Sequence, residues 1–297
     1  MYLHFISTLL FSALHALTTS ASPLPDSSNS TLPARSIYFD KHSGLSAIKP
    51  WANGGVVWCF EGSHNVDFYN MMIKANTLWE NAFGGSQGSS AGASYAGLCA
   101  QDLTNTFLHV HLTNERSAST SIGYWPPKDN KPQNEMYFDM DSSWGTKDSV
   151  ANLAHELGHA FGLYHEHQRW DAQHGVNGNN PPLKFNCENL KDYEDFKSGK
   201  QGKVDMTLLC NDVVYAKTRG FSGGEFITYR EVDITKSHSP AFDFYSIMLY
   251  SSQAGSDGKY TLTTWDGKPY TAATHPSPSD GDAIKQIYPP LAPAPGA

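Results

Sequence analysis

The sequence predicts a mixed α+β fold, and three patterns carry that expectation. Residues 69–83 (YNMMIKANTLWENAF) place Met72, Ala75, Leu78 or Trp79, and Ala82 at helical spacing. Residues 106–113 (TFLHVHLT) alternate Leu108, Val110 and Leu112 against Phe107, His109 and His111, the period of a half-buried strand. Residues 150–161 (VANLAHELGHAF) return to helical spacing, with Val150, Leu153, Ala154, Leu157, Ala160 and Phe161 forming one apolar stripe.

The remaining elements follow in chain order. Residues 51–60 (WANGGVVWCF) open with a Gly-Gly turn and continue in β-branched and aromatic residues, which predicts a strand. The helix at 69–83 stops at Gly84-Gly85, and a loop rich in Gly, Ser and Ala is expected to follow. After the strand at 106–113, residues 119–125 and 135–140 read as two further short strands. Asp148 or Ser149 is placed to cap the helix at 150–161, and Gly162 to end it in a left-handed turn. Beyond His165 the pattern becomes irregular, with Pro, Asn and Gly clusters. Ser279-Asp280-Gly281-Asp282 opens a last helix through Ala283, Ile284, Ile287 and Tyr288, stopped by Pro289-Pro290. No internal repeat occurs.

Composition bounds what such a chain does. It has 297 residues, a formal net charge of −8, 39% hydrophobic and 12% aromatic residues, and 17% charged residues. That apolar content supplies a core and excludes a disordered chain, while the mild acidity argues against a nucleic-acid binder. The first 17 residues are apolar and lead into small residues at Thr19 and Ala21, so 1–21 reads as a secretory signal. No other long apolar run occurs, so no membrane association is expected after its removal. Residues 22–49, rich in Ser, Pro, Thr and Asn, read as a pro-segment or linker, and 291–297 as a flexible tail. Between them, 50–290 forms the folded domain, with lobes of about 50–165 and 166–290. Cys59, Cys99, Cys187 and Cys210 allow three disulfide connectivities; bridges kept within each half are Cys59–Cys99 and Cys187–Cys210. Asn29 heads the N-x-S/T sequon.

The chemistry concentrates in His155-Glu156-Leu157-Gly158-His159. Residues four apart lie on one helical face, so both imidazoles reach one metal ion, while Glu156 is left to meet a metal-bound water. Gly162 lets the backbone turn sharply and return His165 as a third ligand. Three neutral imidazoles leave a zinc position open, as a catalytic site requires. This long histidine pattern, together with the later Ser246-Ile247-Met248-Leu249-Tyr250, resembles the metzincin signature, which implies a methionine packed beneath the imidazoles.

The stretch HELGHAFGLYHEHQRWD resembles the astacin family closely. Glu166, His167, Arg169 and Asp171 stand where that family tends to carry H-E-x-x-R-x-D. SIMLY is similar to its S-I-M-H-Y, with Leu249 in place of His. Fainter similarity at Trp51-Ala52-Asn53-Gly54-Gly55 and over 279–288 extends the resemblance across about 51–289. It implies a metzincin-like catalytic domain, with a twisted sheet and zinc-binding helix in an upper lobe and a more irregular lower lobe holding the Met turn and C-terminal helix. It also implies one Zn²⁺ held by His155, His159 and His165, Tyr250 as a further ligand that swings away to steady the oxyanion, and Glu156 as general base. Glu166 in the family faces the mature N-terminus, which ties activation to removal of a pro-segment. The cysteines do not match the usual astacin bridges, the interval from His165 to Met248 is long, and only Asp26 or Asp40 is available as an aspartate switch.

The expected function is therefore a secreted, monomeric zinc endopeptidase acting on protein or peptide substrates. Two readings stand beside it. A serralysin-like protease shares the histidine pattern, but its glycine-aspartate calcium repeats are missing here. A secreted binding protein with a silent zinc site would not need Glu156 and all three histidines intact. Other candidates have blander readings. His109 and His111 form an H-x-H expected to be solvated strand histidines, and His64, His174, His238 and His275 lack partner spacing. Asp139 and Asp141 read as a polar turn, and residues 119–125 as an edge strand able to take up peptide. Trp125-Pro126-Pro127 and Trp265 are read as packing, with substrate or sugar contact as the other possibility.

Overall fold

The computed structural model describes residues 38–39, 48–141, 143, 145–175, 178, 180–228, 235–236 and 242–290. The signal at 1–21, most of the pro-segment, Asn29, Asp26, Asp40, His238 and the tail at 291–297 lie outside them. The strands are β1 (Tyr38–Phe39), β2 (Gly55–Phe60), β3 (Gly92–Leu98), β4 (Leu108–Thr113), β5 (Ala118–Thr120), β6 (Glu135–Asp139), β7 (Leu183–Phe185), β8 (Thr235–Lys236) and β9 (Leu262–Thr264). The helices are α1 (Val66–Phe83), α2 (Gly85–Gly88), α3 (Ser149–Phe161), α4 (Trp170–His174), α5 (Tyr193–Lys197), α6 (Met206–Asn211), α7 (Val213–Arg219) and α8 (Pro278–Ile287). The mixed α+β expectation holds.

Five strands form the main sheet in the order β3-β2-β4-β6-β5, parallel except for the antiparallel edge strand β5. Helix α1 crosses between β2 and β3 and starts earlier than its apolar spacing suggested, because Asn65 accepts a hydrogen bond from Phe68 N and caps it. It buries Phe68, Met72, Ala75, Trp79 and Phe83, and Gly84 ends it at φ 82°. The Gly/Ser/Ala stretch expected to be a loop contains β3 instead. Its GASYAGL sequence lacks alternation, but parallel pairing with β2 satisfies its backbone groups. The strand expected over 119–125 stops at Thr120; beyond it, Gly123 N donates to His159 O and Tyr124 pairs with Lys49.

Two apolar cores result. The first joins Trp58, Phe60, Phe68, Trp79, Leu108, Val110, Met136, Phe138, Leu157 and Phe161. The second gathers Leu183, Leu190, Phe196, Leu209, Phe221, Phe226 and Leu262. The region beyond His165 that read as irregular is built from the short helices α4 to α7, too brief to display a helical period. Helix α8 follows this second core in the chain but packs Ala283, Ile284, Ile287 and Tyr288 into the first. Ser277 caps α8 in a reciprocal box with Asp280, two residues before the start predicted from composition. The bridges are Cys59–Cys99 and Cys187–Cys210, one beside each core.

His109 departs from its expected solvated position. Strand β4 is internal to the sheet, so His109 is buried, with Nδ1 at 2.7 Å from Glu61 Oε1 and Nε2 at 3.3 Å from Asp102 Oδ2. Although His109 lies near Cys59 and Cys99, those sulfurs are joined to each other. His111 stacks on Tyr137 at 4.4 Å. Burial works to raise the Asp102 pKa, but hydrogen bonds from Phe107 N, Thr104 and His109 outweigh it, and the net shift is downward. A carboxyl with a folded pKa below its unfolded value stabilises above that unfolded value and loses the contribution as pH falls through the folded one. Asp102→Asn is expected to cost about 1–3 kcal/mol at neutral pH. The gap from wild type should narrow below about pH 4, and urea titrations at neutral and acid pH measure it. A gap that stays constant with pH removes the ionic contribution.

Candidate metal centre and active site

Helix α3 carries the site because its sequence buries one face and closes both ends. Asp148 accepts hydrogen bonds from Val150 N and Ala151 N, and Gly162 ends the helix at φ 113°, with its N–H on Gly158 O and His159 O. An L side chain rarely adopts that φ, and the turn brings His165 back beside the helix. Gly158 meets a different demand. A Cβ there would lie 2.6 Å from Met248 Sδ and 2.8 Å from Trp79 Cζ2, so only glycine lets the Met turn and Trp79 press against the helix.

The three imidazoles converge through their Nε2 atoms. His159 Nε2 lies 3.0 Å from His165 Nε2, which lies 3.2 Å from His155 Nε2. Each opposite nitrogen is anchored: His155 Nδ1 donates to Ile247 O at 2.8 Å, His159 Nδ1 to Leu163 O at 2.8 Å, and His165 Nδ1 to Gln168 Oε1 at 3.0 Å. A ring whose Nδ1–H is committed in this way points a lone pair from Nε2. Facing lone pairs repel unless a cation lies among them. Two nitrogens at zinc's usual bond length and a tetrahedral angle would be about 3.3 Å apart, so the donor set suits Zn²⁺. Burial lowers His155 to about 4 and His159 to about 3, with the neighbouring His155 adding to the effect at His159, and moves His165 in the same direction. All three are neutral donors at physiological pH.

Glu156 sits beside this cluster on the buried face. Thr120 Oγ1 donates to its Oε2 at 2.7 Å from the edge strand β5. Burial pushes the Glu156 carboxyl up to about 7, with the Thr120 bond opposing the rise. The Tyr250 ring also meets the cluster, its centroid 4.3 Å from that of His165, 4.5 Å from His167 and 6.0 Å from His155. His167 is buried and donates Nε2–H to Glu225 O at 2.8 Å.

The turn after His165 contains a buried ionic cluster. Arg169 donates Nη1–H to Glu166 Oε1 at 2.8 Å and holds Asp171 with two bonds, Nε to Oδ1 at 2.9 Å and Nη2 to Oδ2 at 2.7 Å. Burial raises the Glu166 carboxyl to about 8 against the pull of Arg169. Glu166 N donates to Met248 O at 3.0 Å, which ties the third-histidine turn to the Met turn. Asp280 completes the support from α8: it accepts from Ser246 Oγ at 2.7 Å and from Ile247 N at 2.9 Å.

The structure thus brings together His155, His159, His165, Glu156 and Tyr250. Asp139 and Asp141 form the expected polar turn, taking Arg116 N, Asp141 N and Ser143 N as donors. His64 packs among Phe60, Tyr69 and Tyr95, His174 stacks on Trp170, and Trp125 packs against the first core. Sequence reasoning passed over Thr120, Gln168 and the support role of Asp280, because each meets the site across a long sequence separation or from an ordinary turn. Gly158 was visible only as one of the two unspecified positions in the motif.

Thr120 is a positioning residue with a measurable consequence. Thr120→Val is expected to lower kcat about tenfold, the loss of one hydrogen bond's worth of orientation. KM and zinc content should stay near wild type, and Thr120→Ser should restore the rate. Equal losses in the Val and Ser variants would assign the effect to packing.

The family model for Astacin, a peptidase family, matches residues 130–222, which contain the three histidines, Glu156 and Glu166. No curated protein sequence matches the chain. Among solved structures, it is similar to High choriolytic enzyme 1, a hatching enzyme zinc-protease from Oryzias latipes (medaka fish). That match has a TM-score of 0.51 and 15% identity, and covers 84% of this chain and 98% of that one. Myroilysin aligns with a TM-score of 0.47 and 19% identity, over 81% of this chain and 96% of its own. The stretch that carries the site thus matches the Astacin peptidase model, and the chain as a whole shares its fold with a hatching-enzyme zinc-protease.

Proposed function

We propose that the chain is a secreted endopeptidase in which His155, His159 and His165 hold zinc and Glu156 is the general base. The observation that carries this reading is the convergence of three anchored Nε2 atoms beside a buried carboxylate. Bound zinc supplies Lewis acidity, lowering the pKa of water towards about 7 and polarising a carbonyl. The residues of the chain supply the remainder. Glu156, oriented by Thr120, accepts the proton of the attacking water and delivers it to the leaving amine. The Tyr250 hydroxyl steadies the developing oxyanion and serves as a further metal ligand in the resting site. The edge strand Ala118–Thr120 lies beside Glu156 and suits an extended peptide added as a strand.

Secretion is supported by the signal at 1–21 and by two disulfides, which persist in oxidising compartments. We assign 22–49 to a pro-segment or linker, 50–290 to the catalytic domain in two lobes, and protein or peptide to the substrate. The working form is a monomer without nucleic-acid or membrane partners. Among the described residues Glu166 Oε2 is buried without a hydrogen-bond partner, and Asp243 and Asp280 add negative charge around it. A new N-terminal ammonium fits that surplus, so Glu166 is the receptor for the mature terminus.

A casein-cleavage assay on the processed protein tests the activity. Cleavage abolished by a chelator and restored by zinc supports the proposal. A processed protein that binds zinc yet leaves casein intact overturns it in favour of a silent binding module.

A further inference from the structure

Strands β7 and β9 pair with Lys184 opposite Thr263 and Phe185 opposite Leu262. Side chains alternate along strands, so Leu183, Phe185 and Leu262 share one face, and Lys184, Asn186, Thr263 and Trp265 share the other. The first face looks inward: Phe185 stacks on Phe226 at 5.5 Å, and Phe226 meets Tyr250 at 5.6 Å. The second borders an open cavity of about 430 Å³, lined by Lys184, Asn186, Asn189, Tyr260, Trp265 and Asp266 among others.

Trp265 is 58% exposed, and its backbone is tied down on both sides. Its backbone N–H donates to Pro182 O at 3.0 Å, and the turn beyond it closes through Thr264 N on Lys268 O at 2.9 Å and Gly267 N on Thr264 O at 2.8 Å. Among the described residues no other ring packs on its indole. The amides beside it are also fixed, since Asn186 Nδ2 and Asn189 Nδ2 both donate to Tyr260 O, at 3.1 and 2.9 Å. Asp266 is already matched, accepting from Thr264 Oγ1 at 2.5 Å and pairing with Lys268 at 2.8 Å. The cavity therefore combines an exposed aromatic face on a hydrogen-bonded turn, anchored amides and little uncompensated charge.

We propose that this cavity binds a pyranose ring of a glycan, with Trp265 as its stacking platform. A sugar ring presents C–H bonds of slight positive polarity on its face and hydroxyls around its rim. The negative face of an indole attracts the former, and amide and amino groups bond the latter. A purely apolar ligand would leave unused the hydrogen-bonding capacity that the Asn186 and Asn189 amides keep beyond Tyr260 O, and among the described lining residues a charged ligand finds Lys184 alone without an ion pair. Because the cavity lies on the face opposite Phe185, a sugar there stays clear of Tyr250 and the histidines. The glycan belongs either to a glycoprotein substrate or to a free polysaccharide.

The test uses the processed full-length protein with chitotetraose, cellotetraose and mannotetraose as probes in titration calorimetry. At least one is expected to saturate the wild type at millimolar concentration, and Trp265→Ala is expected to weaken it by about tenfold or more. Trp265→Phe should retain part of the affinity, and both variants should keep the wild-type circular dichroism and rate on an unglycosylated peptide. Absence of saturation by all three probes overturns the proposal, as does equal affinity in wild type and Trp265→Ala. Faster cleavage of a glycoprotein than of its deglycosylated form, seen only with Trp265 present, assigns the site to substrate glycans. Equal rates with retained probe binding assign it to free polysaccharide. Binding is read independently of cleavage, so an inactive protein that binds the probe overturns the peptidase reading alone.

Discussion

Glu156→Gln is expected to keep one zinc per chain while kcat falls by about 10²- to 10⁴-fold, the range general-base catalysis contributes. The metal should survive because nothing that holds it is touched. The three Nδ1 anchors run to Ile247 O, Leu163 O and Gln168 Oε1, none of which involves Glu156. Glutamine has the same shape and still presents an oxygen to the Thr120 hydroxyl, so the side chain should stay in place. What it loses is the capacity to take a proton. Burial already disfavours the charged carboxylate, so the neutral amide should leave thermal stability unchanged or slightly higher. Zinc content, kcat, KM and melting temperature measured on one preparation separate these effects. Cleavage at the wild-type rate by a zinc-loaded variant sinks the assignment of Glu156.

Asp280→Ala is expected to be among the most destabilising single substitutions, about 4 kcal/mol. Asp280 is fully buried and accepts from Ser246 Oγ, Ile247 N and Ser277 N. Truncation leaves two backbone N–H groups and a hydroxyl in the interior, each costing about 1–3 kcal/mol when unsatisfied. It also removes half of the reciprocal cap of α8. Activity should fall in parallel, because Asp280 holds the Ile247 N–H and the carbonyl of the same residue orients His155. Urea unfolding gives the stability change, and Asp280→Asn should recover part of it by keeping one acceptor. An unchanged unfolding midpoint in the Ala variant would refute this bridging role.

The helical elements were legible where an apolar face repeats over several turns and ends in a cap. Helix α3 was read with its boundaries nearly correct, since Asp148 and Gly162 act through local backbone geometry. Helix α1 was found but begun late, because its cap at Asn65 lies outside the apolar pattern. Strand β3 and helices α4 to α7 were missed for two reasons. A parallel strand of small residues is defined by its neighbour's hydrogen bonds, and helices of five to seven residues complete too few turns to show a period. His109 was misjudged because alternation reports one buried face, and an internal strand has two.

The chain's first expectation, a mixed α+β protein built around one histidine-bearing helix, came from local rules: spacing, capping and a glycine turn that each act within a few residues. Those rules place His155 and His159 on one face and let His165 return. They say nothing about partners distant in sequence. Tertiary packing alone places Thr120 against Glu156, Ile247 O against His155 and Asp280 beneath the Met turn. It also fits Met248 against Gly158, where a Cβ would lie 2.6 Å from the Met248 sulfur. Ligand identity is a local property of the side chains, whereas their orientation depends on contacts made across the fold, which only the folded chain brings within hydrogen-bond range.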